Sequence, residues 1–204
     1  MRAFWAVALL AVSGQVAIEE ALRPILDFAG PGAAQKWQAV NDGVMGGVSD
    51  GRFRITEEQT LEFFGMLSLE NNGGFASVRT KPTELGIRAG DTLVARVKGD
   101  GREYALNIYT KSRRMAFSYR APLPTTKDEW TEVRVPLEDF IPTAFGRRVQ
   151  GMGPVGPDQI NGLGFMLSDK KPGKFRMQVE SVKVERAAPQ RTPNTPTTMS
   201  PRIP

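Results

Sequence analysis

Two stretches in the first half of the chain each set a glycine pair among polar turn formers, between apolar runs. They are Lys36–Gly51, KWQAVNDGVMGGVSDG, and Leu69–Arg79, LENNGGFASVR. Glycine serves where the backbone must take a positive φ or lie close to another chain, and Asn and Asp tolerate such turns. A chain that repeats this device between alternating runs is confined to strands meeting at tight, specified corners. Two readings stay open. In one, the glycines only build turns. In the other, Trp37, Asn41, Asp42, Ser49, Asn71 and Asn72 line one shared surface.

The runs between the corners are strand-like. Arg52–Thr56 and Thr60–Leu67 flank a Glu-Glu-Gln turn, and Phe75–Thr80 follows the second glycine pair. Asp91–Lys98 alternates Leu93, Ala95 and Val97 with Thr92, Val94, Arg96 and Lys98, the period of a half-buried strand. Gly99-Asp100-Gly101 then reads as a hairpin turn into Glu103–Lys111. Met115–Arg120, Trp130–Leu137, Ile160–Leu167 and Lys174–Glu185 complete the set. In the last run the apolar positions shift from odd to even after Val179, which predicts a bulge near Glu180–Ser181. No segment of the domain carries a long 3.6-residue apolar repeat; the helical candidates are Ile18–Phe28 and a short turn at Leu137–Phe140. Gly146–Pro157 is a long loop without periodicity. Short strands at near-regular spacing point to a β-sandwich or jelly roll.

Composition narrows the chemistry. The 204 residues hold no cysteine and no histidine, which removes disulfides, thiol nucleophiles, zinc sites with nitrogen or sulfur ligands and every imidazole-based triad. A bound metal would be a hard cation on oxygen ligands, and the Asn41–Asp50 loop is the one place that suggests calcium. The carboxylates Asp42 and Asp50, or Asp100 and Glu103, are candidate acid–base pairs, but no spacing sets either pair across a groove. No catalytic residue and no metal site is assigned. Glycine-rich segments do not lead from a strand into a helix, so no phosphate cradle is expected. The net charge of +5 is carried largely by the chain ends: Arg2, Arg191 and Arg202 lie there, leaving 24 basic against 22 acidic residues in 18–186. That balance argues against nucleic acid. Lys111, Arg113, Arg114 and Arg120 read as a solvated hairpin end or a local basic patch.

The ends differ from the middle. Residues 1–17, MRAFWAVALLAVSGQVA, have an apolar run too short to span a bilayer and fit a secretory signal, so export to a periplasm or the exterior is expected. The competing reading is a packed or membrane-touching helix continuing through Leu26, which would leave the protein membrane-associated. Residues 187–204 are rich in Pro and Thr and are expected to be disordered. The folded domain thus runs over 18–186.

Binding is easier to support than catalysis. An aromatic platform beside amide, carboxylate and guanidinium groups suits a sugar, and Trp37, Tyr104, Tyr109 and Tyr119 with Asn41, Asp42, Arg79 and Asp100 would supply one. Large aromatics on strands are also ordinary core residues. Tyr104 and Tyr109 are five apart, so they face opposite sides of their strand and at most one joins such a surface.

Five blocks in order carry a family resemblance: WQAVNDGVMGGVSDG, FFGMLSLENNGGFASVR, VKGDGREYALNIYT, EWTEVRVPLEDF and INGLGFMLSDKKPGKFRMQVESVKV. Together, over Trp37 to Val184, they resemble the complex I intermediate-associated protein 30 family. The resemblance implies a single galactose-binding-domain-like β-sandwich, akin to some carbohydrate-binding modules. It also implies a non-enzymatic assembly chaperone for the respiratory NADH dehydrogenase. Some relatives add a dinucleotide-binding domain; residues 18–186 leave no room for one, and no cofactor is expected. The implied partners are subunits or assembly intermediates of the membrane respiratory complex, met through the sandwich loops, with possible membrane proximity. A glycan bound outside the cytoplasm is the alternative. Among the positions matching the family's motifs, Asp42, Arg79, Asp100 and Tyr104 are the polar candidates for a site, joined by Trp37 and Asn41. An internal Asp–Arg clamp between two loops is an equally good account of Asp42 and Arg79.

Overall fold

A computed structural model describes residues 22–26, 28–112 and 116–186. The expected leader, 1–17, and the expected disordered tail, 187–204, lie outside the described residues, as do Arg113 and Arg114 of the basic run.

Among the described residues, thirteen strands form two antiparallel sheets. The first has six: β1 (Leu22–Leu26), β3 (Asp50–Ile55), β4 (Leu61–Leu67), β6 (Thr92–Lys98), β9 (Trp130–Pro136) and β13 (Gly173–Glu185). The second has seven, in the order β11 (Arg147–Arg148), β10 (Ile141–Ala144), β8 (Phe117–Pro124), β7 (Glu103–Thr110), β12 (Ile160–Leu167), β5 (Ala76–Thr80) and β2 (Trp37–Ala39). The fold is the all-β sandwich expected from the alternating runs, with helix among the described residues limited to short 3-10 turns.

Period-two alternation explains the core. Leu61, Phe63 and Leu67 of β4, Leu93, Ala95 and Val97 of β6, and Phe175, Met177 and Val179 of β13 point inward from one sheet. Leu106 and Ile108 of β7, Ala121 and Leu123 of β8, and Leu163, Phe165 and Leu167 of β12 meet them from the other. Each fully buried Leu or Phe contributes roughly 1.5–3 kcal/mol. The long strand β13 pairs with β4 through Gly173–Val179 and with β1 through Val182–Glu185 along one edge, while β6 takes the other. Its register shifts between Val179 and Ser181, which is the expected bulge and returns Val182 and Val184 to the core.

Two expectations are corrected. Gly99–Gly101 does not close a hairpin, because β6 pairs with β9 and β13 while β7 lies in the opposite sheet. The turn carries the chain from sheet to sheet. Alternation reports which face of a strand is buried, not which strand lies beside it. The helix candidate Ile18–Phe28 contains strand β1 instead. Pro24 would interrupt a helix, whereas an edge strand tolerates it, and Arg23 ties this edge to the Leu85 carbonyl at 2.7 Å.

Candidate functional site: a cationic groove on the seven-stranded sheet

The two glycine-pair stretches converge on a single buried carboxylate, Asp42. Ser49 donates to it twice, N–H to Oδ1 at 2.9 Å and Oγ to Oδ2 at 2.6 Å. From the other stretch, the Gly74 and Phe75 amides donate to Oδ2 at 2.6 and 3.2 Å. A Cβ on Gly47 would collide with the Asp42 carboxylate, and one on Gly73 would sit 2.7 Å from Oδ2. Both loops need glycine because both close on this oxygen pair. Burial pushes the Asp42 pKa up, but the Ser49 hydroxyl and the Gly74, Ser49 and Phe75 amides together leave it below the ordinary value. The clamp between loops thus exists, built with backbone amides and the Ser49 hydroxyl rather than an arginine fork. A carboxylate ringed by donors is no cation ligand, and among the described residues no three acidic side chains gather for a metal.

The loops held by Asp42 form one wall of a groove of ≈ 550 Å³ on the outer face of the seven-stranded sheet. Register puts Arg79, Asn107, Tyr109, Ser118, Arg120, Gly164 and Met166 on that face. Gly164 lies between Arg79 and Asn107 across the ladder, where a side chain would run into the Arg79 Cβ, so the floor is sunk along β12. Val44, Met45, Leu69 and Phe145 stand exposed on the rim, Phe145 at 60% and Val44 at 73%.

The groove's electrostatics are one-sided. Its described lining includes Arg79, Arg120 and Lys170 and no acid. Arg120 reaches Asn107 Oδ1 and Ser168 Oγ, each at 3.3 Å, and Met166 Sδ at 2.9 Å. Burial lowers its pKa, a sign that its charge is not offset. Arg79 lies over the Tyr109 ring, 5.1 Å from its centroid. The Arg79 Nε, the Asn107 amide nitrogen and the Tyr109 hydroxyl are all buried without a hydrogen-bond partner. The Tyr109 hydroxyl lies beside the Asn107 and Arg79 side chains, which a small adjustment would bring into hydrogen bonding with it; burial raises its pKa, and the Arg79 and Arg120 charges together with these two contacts pull against that.

Of the candidates read from the sequence, Arg79 and Tyr109 lie in this groove, as does Asn72 of the wider set. The structure does not bring the others together there. Trp37 is buried, stacked between Phe28 and Phe165 at 5.7 and 6.2 Å. Tyr104 points into the core against Phe63 and Phe175, its hydroxyl donating to Asp100 at 3.1 Å. Asp100 also accepts the Arg176 amide at 3.0 Å and so fixes the sheet-to-sheet turn. Asn41 links the Gly51 carbonyl to the Ser77 amide, and Tyr119 is buried against Phe117. Sequence reasoning missed Met166, Phe145 and Lys170, and met Arg120 only as one member of a basic run. The signal available was parity: these strands carry polar or charged residues at outward positions, but nothing in the chain says which strands are neighbours.

Fold and groove together define a jelly-roll sandwich with a ligand-sized trough on one sheet. The family 11 carbohydrate-binding module from Clostridium thermocellum, seen in complex with a mixed-linked tetrasaccharide, shares this fold. It superposes with a TM-score of 0.60 at 17% identity over 81% of this chain and 96% of its own. That likeness is one of fold. The chain belongs to the complex I intermediate-associated protein 30 family, whose model matches residues 26–179. The mouse mitochondrial complex I intermediate-associated protein 30 is 27% identical over 83% of this chain, and its Drosophila melanogaster counterpart 24% over 79%. This chain spans 58% and 62% of the lengths of those relatives. The relatives also correct the expectation of export: they are mitochondrial proteins, not periplasmic or extracellular ones. A short apolar N-terminal run is common to several kinds of targeting and packing segment, so it did not separate these destinations.

Proposed function

We propose that this protein is a non-enzymatic assembly factor that holds a polypeptide of a respiratory complex I intermediate in the groove of its seven-stranded sheet. The loops of the glycine-pair stretches act as the groove's wall. The observation that carries this reading is the pairing of arginines without a carboxylate partner on the floor with an exposed apolar rim. Exposed apolar residues around a concave polar floor are the surface chemistry of a protein-binding site. The family's name supports a respiratory partner, and a chain without histidine or cysteine has few routes to acid–base or nucleophilic catalysis. Such a partner places the protein beside a membrane; among the described residues no helix is long and apolar enough to cross one.

The test is affinity capture of the full chain from membranes of its own cells, followed by identification of bound proteins. Subunits of NADH dehydrogenase are expected with the wild type and a marked loss with Phe145→Ser or Leu69→Ser. Capture of no such subunit would sink the reading. A glycan in the same groove is the second reading, favoured by the exposed ring of Phe145 on a sandwich of this fold. A glycan array showing binding that survives Arg79→Gln would favour it.

A further inference from the structure

The groove's floor specifies more than a protein surface. We propose that it recognises a carboxylate side chain, Asp or Glu, set between large apolar residues of the partner; this rests on the reading of the groove as a polypeptide site. The charged groups of the floor, Arg79 and Arg120, can only donate, and the Arg79 Nε and the Asn107 amide nitrogen beneath them make no hydrogen bond to a carboxylate or carbonyl. Buried donors left unsatisfied are costly, and what they lack is an acceptor. The nearby acceptor, Asn107 Oδ1, is already shared by Ser118 and Arg120. Two guanidiniums on adjacent parts of one floor, neither in an ion pair among the described residues, supply the charge that a carboxylate answers.

The rest of the groove selects against a bare anion. Val44, Met45, Leu69 and Phe145 are exposed around the cations, so an occupant that buries them must carry apolar groups on both sides of its charge. A protein segment of the pattern apolar–acid–apolar does this with ordinary side chains. It also excludes water from the ion pair, where a charge-assisted hydrogen bond is worth most.

The experiment measures binding of the full chain to acetyl-Leu-Phe-X-Leu-Ile-amide peptides with X = Glu, Gln, Lys or phosphoserine, by calorimetry at two salt concentrations. The Glu peptide is expected to bind about tenfold or more tightly than the Gln peptide, the value of a hydrogen-bonded charge. Arg79→Gln and Arg120→Gln are each expected to erase that preference, with melting curves establishing that the variants fold. Phe145→Ser, exposed on the rim, is expected to weaken the Glu and Gln peptides alike. Equal binding of Glu and Gln, binding of neither, or preference for phosphoserine would each overturn the inference. Failure of the respiratory capture together with a clear Glu preference would remove the respiratory partner and leave the carboxylate site standing. Successful capture unchanged by Arg79→Gln and Arg120→Gln would do the opposite.

Discussion

The two outer faces of the sandwich are built from similar residues and arranged in opposite ways. On the six-stranded sheet, arginines sit across the ladder from carboxylates. Glu62 is buried between Arg54 and Arg176, Arg96 meets Glu180 at 2.6 Å, and Arg134 lies between Glu132 and Glu185. Arg96 and Lys98 also lie over Trp130, at 5.7 and 5.0 Å. Each of these arginines has a carboxylate partner on its own face. On the seven-stranded sheet Arg79 and Arg120 sit across the ladder from glycine, asparagine and other neutral groups, and their charges stay unanswered. The difference separates a face whose arginines have carboxylate partners from one whose arginines, among the described residues, have none. An uncompensated, half-buried guanidinium lowers stability, and retaining two together is readily explained by binding.

Perturbing the groove's wall should have the largest effect. Asp42→Ala removes the acceptor of four hydrogen bonds and strands buried amides, for a loss of about 3 kcal/mol or more, or roughly 6–12 °C in melting temperature. The same carboxylate sets an acid limit. The Asp42 pKa, and that of Asp169 held bidentately by Arg102, lie below their ordinary values in the folded state. Their contribution is therefore present above the unfolded carboxylate pKa, near 4, and is lost as pH falls through the lower folded values. Melting temperature should stay level through mild acid and fall below about pH 4, and that last fall should shrink in Asp169→Asn.

Next in size is the paired face. Glu62→Gln should cost about 1–2 kcal/mol, less than for a fully buried pair because Arg54 and Arg176 are exposed enough to regain water. The groove should answer with the opposite sign. Arg120→Met removes a poorly offset charge and is expected to leave stability unchanged or raise it by up to about 1 kcal/mol, while partner capture falls. A clear loss of stability in Arg120→Met would break the contrast between the faces. Smallest is Arg96→Ala at an exposed pair, within about 0.5 kcal/mol by chemical denaturation.

Much of this fold is legible along the chain. The alternation in Asp91–Lys98 and Lys174–Glu185, the phase slip after Val179 and the 3-10 turn at Leu137–Asp139 all follow from local pattern. β10 and β11 fall in stretches too short and too polar to show a period, and β1 is a strand only because β13 offers it an edge. The site was less visible. Trp37 and Tyr104 look like a platform by residue type, yet inward parity makes them core; Tyr109, five residues beyond Tyr104, faces out.

What the sequence determined by itself is the class of structure, and the demand that two glycine pairs turn tightly beside Asn and Asp. Both are local: side-chain period and backbone freedom are properties of a few consecutive residues. The tertiary structure decided which strands are neighbours. Only that choice sent the Gly99–Gly101 turn across the sandwich, closed both glycine loops on Asp42, and set Arg79 and Arg120 on one floor with no carboxylate between them. Residues 79, 107, 120 and 164 become neighbours through ladder pairing, and no spacing along the chain encodes a charge left unpaired in space.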